Sequence, residues 1–263
     1  MFIKSNFIPV ELYNKHILSK FKDKPISIFN DYTPTIEELQ INPYNILIIQ
    51  EPNQLFGLHE WAINNHQYFS CILTWGQDIL DKCENSLLFP FGTTFLHSDN
   101  EYVQMASHDK KLEISFMCGL KHIIEGHFLR HKIYNRQTEI NIPTKWLLSG
   151  DKKPCFGESM FHLTVENSKN KNYFTEKIID AFITKTIPIY WGCPNIDNFF
   201  DIRGIYVFEN ENEAINIMNS LTEEDYYLRK EYVEKNYEIA IYYSIYFDRV
   251  ENILDEIIKL NKI

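Results

Sequence analysis

Short, almost wholly apolar runs recur along the chain, and helix-patterned stretches separate them. Residues 46–50 (ILIIQ) are the sharpest case, and 69–74 (FSCILT) and 86–91 (ending Pro90-Phe91) follow. Each run is too short for a stable helix and too uniformly apolar for a sheet with one wet face. That pattern suits strands of a parallel sheet buried on both sides. A polar break over 104–111 (QMASHDKK) interrupts the series, and the pattern then restarts. Residues 113–118, 161–165, 187–191 and 205–208 read as further strands. Phe128, Leu129, Ile133 and Tyr134 mark one helix, and Ile178, Ile179, Phe182 and Ile183 mark another within 175–184. Residues 222–260 carry Tyr, Ile and Leu at helical spacing throughout. Alternation of this kind predicts an α/β protein of two Rossmann-like domains facing a cleft, divided at the polar break into 1–105 and 106–263. In such sheets ligands sit at the carboxyl ends of the strands.

The cysteine, glycine and charge content narrows the chemistry. Five cysteines are widely spaced with no C-x-x-C, which fits a reducing compartment better than a disulfide framework. The nine glycines form neither G-x-G-x-x-G nor a P-loop. Any phosphate is therefore held by side chains and helix ends. The start lacks the long apolar core of a signal peptide, and no apolar run reaches the ~18 residues of a membrane span. The expectation is a soluble cytoplasmic protein, with peripheral membrane contact left open. The net charge of −10 speaks against a nucleic-acid partner. It is unevenly spread, however: residues 1–105 carry −6, 106–200 carry +3 and 201–263 carry −7. The basic middle can hold one small anion.

That middle segment carries the densest chemistry. In residues 161–194 (FHLTVENSKNKNYFTEKIIDAFITKTIPIYWGCP) an apolar strand ends directly on Glu166, Asn167 and Ser168. A polar loop leads to Tyr173, and Thr175, Glu176 and Lys177 open a helix. A cation in the first turn opposes the helix macrodipole, unless an anion shares the free N–H groups there. The plain alternative is a surface lysine with no role.

E-N-S, then Y-x-T-E-K, the helix and P-I-Y-W-G-x-P resemble, without a gap, the donor-binding signature of glycosyltransferase family 10, the α-1,3/1,4-fucosyltransferases. The likeness is dense over roughly residues 110–210 and thinner before that. Residues 113–136 sit where the family has a strand, a loop and a helix with an essential arginine, matched by Arg130. Pro90-Phe91-Gly92 resembles a feature near the end of the family's first domain. The segment I-Q-E-P-N at 49–53 resembles the strand end bearing its catalytic carboxylate, here Glu51.

The resemblance implies a GT-B fold with an acceptor-binding domain at 1–105 and a nucleotide-sugar domain at 106–263. It implies inverting transfer of fucose from GDP-β-L-fucose to a glycan hydroxyl, with no cofactor and no metal. By position, Glu51 would be the base. Arg130 and Lys177 would contact the diphosphate. Asn167, Tyr173 and Glu176 would hold the ribose and sugar, and Glu166, Ser168 and Thr175 would complete the donor site. Two alternatives stay open: another donor such as UDP-xylose, and a non-catalytic nucleotide-sugar or glycan-binding protein.

Each residue has a plainer reading. Glu51 is also what a solvated strand-end acid looks like, Arg130 can pair with Glu125 on its own helix, and Arg136 is a rival phosphate ligand. His127 and His131 lie four apart without H-E-x-x-H and read as ordinary helix histidines. Glu209, Glu211 and Glu213 read as a solvated loop. His59, Trp61 and Trp75 read as core before acceptor stacking. No D-x-D occurs, unlike the metal-dependent single-domain glycosyltransferases.

Overall fold

A computed structural model describes residues 1–96, 101–107, 109–148 and 150–261. The chain divides into two compact units, Met1–Phe91 with Ile245–Ile263, and Gly92–Ser244.

The first unit is built on a five-stranded parallel sheet: β1 (Phe2–Ser5), β2 (Ile26–Asn30), β3 (Tyr44–Ile49), β4 (Cys71–Thr74) and β5 (Ser86–Leu88), in that spatial order. β3 is the ILIIQ run, and its central place explains its uniform hydrophobicity. Ile46 and Ile48 enter one core with Ile26, Ile28 and Leu73, while Leu47 and Ile49 enter another with Phe29 and Ile72. The period-2 alternation of strand side chains thus feeds two apolar faces. The first face is covered by Tyr13, Ile17 and Phe21, and by Tyr246, Val250 and Leu254 of the last helix, Tyr246–Asn261. These last three recur every four residues, one stripe of that helix.

The second unit holds β6 (Lys111–Met117), β7 (Thr144–Leu147), β8 (Ser159–Val165), β9 (Ile187–Trp191) and β10 (Tyr206–Val207). They are all parallel, in the order β10-β9-β8-β6-β7. The chain leaves β6 toward β7 and returns beside β6 as β8, so the order reverses between β6 and β8. Connections diverge there and leave a crevice beyond the strand ends, the usual ligand position of open α/β sheets.

The division between units differs from the one expected at 105/106. The polar stretch that suggests a boundary contains the end of a helix, Glu101–Ser107. Leu96 and Met105 pack into a core of the second unit with Phe174, Ile178 and Phe182. The predicted helical region 222–260 is two helices, Glu223–Ser244 and Tyr246–Asn261, and the unit boundary falls between them. β1, β2 and β7 lie outside the strands read from sequence. Among the described residues no helix is long and apolar enough to cross a membrane.

Candidate active site

The site is built from the end of β8 outward. β8 is buried along its whole length, and Glu166 follows it with no exposed surface. The Glu166 amide donates to Trp191 O of β9 at 2.9 Å. Its Oε1 accepts the Thr175 amide at 2.9 Å and its Oε2 accepts the Thr175 hydroxyl at 2.6 Å. Glu166 therefore ties the strand end to the start of the helix Glu176–Ile183, for which Thr175 is the N-cap. Burial pushes the Glu166 carboxyl up, and Lys177, with its Nζ 3.8 Å from Oε2, opposes that shift.

Arg130 reaches the same place from the helix Glu125–Tyr134. Its Nε donates to Val165 O at 3.0 Å, and Nη2 donates to Val165 O and to Asn167 Oδ1, the latter at 2.9 Å. The guanidinium so crosses from the β6 side of the crevice to the β8 side. Burial lowers its pKa, yet Glu166 and Glu176 offset this, and the group stays charged. Arg130 turns to Val165 O and Asn167 and not to Glu125, whose Oε1 accepts the Lys169 amide at 2.8 Å. Arg136 forms a bidentate pair with Glu139 on an exposed surface, which removes it as a rival.

The approach of that helix to β8 depends on a glycine. The Gly126 amide donates to Asn167 O at 3.0 Å, and a Cβ at Gly126 would stand 1.9 Å from Glu166 O. That partner is backbone and cannot swing aside. Gly126→Ala is expected to destabilise the second unit by about 3 kcal/mol, the upper range for overpacking, and a thermal melt reads it as a lowered midpoint. An unchanged midpoint would show that the helix start slides freely.

Glu176 and Lys177 complete the cluster. Glu176 is 5% exposed, and its Oε1 accepts Lys152 Nζ at 2.9 Å and Lys177 Nζ at 3.1 Å. Burial pushes this carboxyl up, but the two lysines outweigh it and hold it well below the usual carboxylate range. Lys177 Nζ also donates to Thr175 Oγ1 at 3.1 Å. It is thus not the free surface cation of the plainer reading. Arg130, Lys152 and Lys177 gather around Glu166 and Glu176, and the buried Asp180 also faces Lys152. Burial pushes the Glu166 carboxyl up and the Asp180 carboxyl up to about 7. Three cations thus face carboxyls of which two resist ionisation, and the cluster can take an anion.

Lys152 is the residue that sequence reasoning missed. It lies in a polar loop with no periodic signal, and only the fold carries it to Glu176. It also lies over the Phe95 ring, 4.3 Å from the centroid.

Burial separates the sequence-derived donor residues. Glu166 and Ser168 are 0% exposed, Tyr173 1% and Thr175 3%, and these form the floor. Asn167 and Lys177 keep exposed surface, and Arg130 and Glu176 lie just beneath it. His127 accepts the Ile123 amide on Nδ1, and burial with the Arg130 charge pushes its pKa down to about 4. It is a neutral, structural imidazole. Among the described residues no three His, Cys, Asp or Glu side chains gather as a metal ion would need.

Glu51 stands in the first unit, two residues beyond the end of β3, half-buried. Its amide donates to Asp31 Oδ1 at 3.2 Å. Trp75 and His59 of the same unit are buried, with ring centroids 5.3 Å apart, as expected of core residues.

Comparison with known proteins agrees with this geometry. Residues 126–242 match the model of the C-terminal domain of glycosyltransferase family 10 (fucosyltransferase). A 74-residue stretch is 38% identical to the alpha-(1,3)-fucosyltransferase FucT of Helicobacter pylori, covering 27% of this chain and 16% of that protein. A crystal structure of an alpha1,3-fucosyltransferase superposes over 98% of this chain and 89% of the other, with a TM-score of 0.57 at 16% identity. A second, with GDP-fucose, covers 89% of this chain and 81% of the other, with a TM-score of 0.57 at 18% identity. These structural likenesses show the GT-B fold. The stretch that resembles glycosyltransferase family 10 is the one that holds Arg130, Asn167, Glu176 and Lys177.

Proposed function

We propose that the protein transfers L-fucose from GDP-β-L-fucose to a glycan hydroxyl, with inversion and without a bound metal. The observation that carries this reading is the gathering of three cations, Arg130, Lys152 and Lys177, around the end of β8, inside the matched family domain. A relative of this fold was solved with GDP-fucose, which supports the donor.

The chemistry asks three things of the chain. Negative charge grows on the β-phosphate as the diphosphate leaves. Arg130, Lys177 and the N–H groups at the start of the helix Glu176–Ile183 neutralise it where water is excluded. The anomeric carbon becomes cationic, and the ionised Glu176 supplies opposite charge nearby. The acceptor hydroxyl loses its proton to Glu51 as general base. One in-line displacement then inverts the anomeric centre. In this reading the second unit binds the nucleotide sugar and the first binds the acceptor. All five cysteines are buried free thiols, which supports a reducing, cytosolic setting.

A thermal-shift panel of GDP-fucose, GDP-mannose, UDP-xylose and UDP-glucose tests the donor. A ligand at ~100 times its dissociation constant adds about 2.7 kcal/mol of stability. GDP-fucose is expected to give the largest rise in melting midpoint. A UDP-sugar preference overturns the fucose assignment, and no response to any nucleotide overturns the transferase reading.

A further inference from the structure

The manner in which the first unit holds Glu51 singles out a second carboxylate, Asp31, whose role rests on the reading of Glu51 as base. β2 ends at Asn30, and the chain turns at Asp31 with φ +46°, in the left-handed region. Non-glycine residues adopt that conformation at a cost, and it persists where the surroundings demand it. Here the demand is visible. Asp31 is 1% exposed, and its Oδ1 accepts two amides, Gln50 at 2.9 Å and Glu51 at 3.2 Å. From the other side Trp75 Nε1 donates to Gln50 O at 2.8 Å, and Asn30 Nδ2 donates to Gln50 Oε1 at 3.1 Å. The peptide from which Glu51 projects is therefore fixed at both of its amides and at the intervening carbonyl.

The groups facing Asp31 come from several elements. Asn30 Nδ2 donates to its Oδ2 at 3.3 Å, and Asn6 Nδ2 donates to its backbone carbonyl at 2.7 Å. The phenols of Tyr13 and Tyr246 share a 2.8 Å hydrogen bond and both sense the Asp31 charge. Arg249, beyond Tyr246, donates to Pro90 O at 2.8 Å. Glu51 is the nearby acid. Burial pushes the Asp31 carboxyl up to about 7, the two amides oppose this, and the Glu51 charge adds to it.

We propose that Asp31 is a positioning residue for Glu51: its carboxyl anchors the backbone of the base, and its negative charge strengthens that base. A carboxylate beside another raises its proton affinity, and a stronger base takes the acceptor proton more readily.

The test compares the parent with D31N, D31G and E51Q. It follows GDP release from GDP-fucose with a panel of glycan acceptors against pH, and the melting midpoint of each protein over roughly pH 5 to 8. Asn keeps an acceptor for both amides and tolerates the left-handed turn, and Gly keeps the turn alone. The parent's kcat is expected to rise through a limb near pH 7, the Asp31 value. D31N flattens that limb with the donor KM unchanged. D31G loses kcat about 10²-fold at every pH, as a misplaced catalytic group does. Independently, a carboxyl with a raised folded pKa holds a proton that the unfolded chain lacks. The parent's midpoint therefore falls as pH rises toward 7, and D31N loses that part of the fall. D31N curves that superpose on the parent's, with E51Q inactive, overturn this inference alone. E51Q turning over like the parent overturns the reading of Glu51, and a parent with no turnover overturns both.

Discussion

Glu51→Gln is expected to lower the transfer rate by about 10²–10⁴-fold, the usual contribution of a general base, while donor binding stays intact. The substitution keeps size and shape and removes only the proton-accepting charge. Glu51 follows β3, the central strand of the first sheet, whose Ile46–Ile49 side chains are all buried. Its backbone is held by Asp31, so the variant keeps its place in the fold. The proposed donor cluster lies wholly in the second unit, and GDP is expected to raise the melting midpoint of Glu51→Gln as much as that of the parent. Steady-state kinetics with GDP-fucose and thermal shift with GDP separate the two effects. A parent-like kcat would remove Glu51 as base. A lost GDP response would show instead that the substitution disturbed the nucleotide site.

The legible parts of this fold are those in which one short segment carries the whole signal. β3 reads as a strand because both of its faces are buried and six residues suffice to show it. The segment from Phe161 to Pro194 carries a strand end, an N-cap and a helix start, so Glu166 meets Thr175 across only nine residues of chain, and Glu176 and Lys177 follow directly. β2 is as buried as β3, yet Ser27 and Asn30 interrupt its apolar run, and both are buried polar residues satisfied by tertiary partners such as Asn42 and Gln50. Nothing local announces those partners. Lys152 is hidden for the same reason, since it meets Glu176 across 24 residues of chain. Composition obscures the unit boundary: a polar stretch with one buried methionine, Met105, belongs to a core it does not resemble.

Glu176→Ala is expected to be the most damaging single change to the stability of the second unit, costing about 3–5 kcal/mol at neutral pH. The carboxylate lies between Lys152 and Lys177, and its removal leaves two ammonium groups and the Arg130 guanidinium with only Glu166 and Asp180 as opposing carboxyls, and burial pushes the Asp180 carboxyl up to about 7. Glu166 is a weak replacement, because burial raises its pKa and both of its oxygens already serve Thr175. The pH dependence comes from the depressed Glu176 carboxyl. Its stabilisation is fully present above the unfolded value of about 4.5 and is lost only as pH falls through the lower folded value. The gap in melting midpoint between parent and variant is therefore expected to be widest near neutrality and to narrow in acid. A diphosphate restores the missing negative charge, so GDP is expected to raise the variant's midpoint by more than it raises the parent's. Thermal melts at pH 7 and in acid, with and without GDP, measure both differences. A variant with the parent's midpoint would show that Lys152 and Lys177 are fully solvated, and a smaller GDP response than the parent's would place the diphosphate away from this cluster.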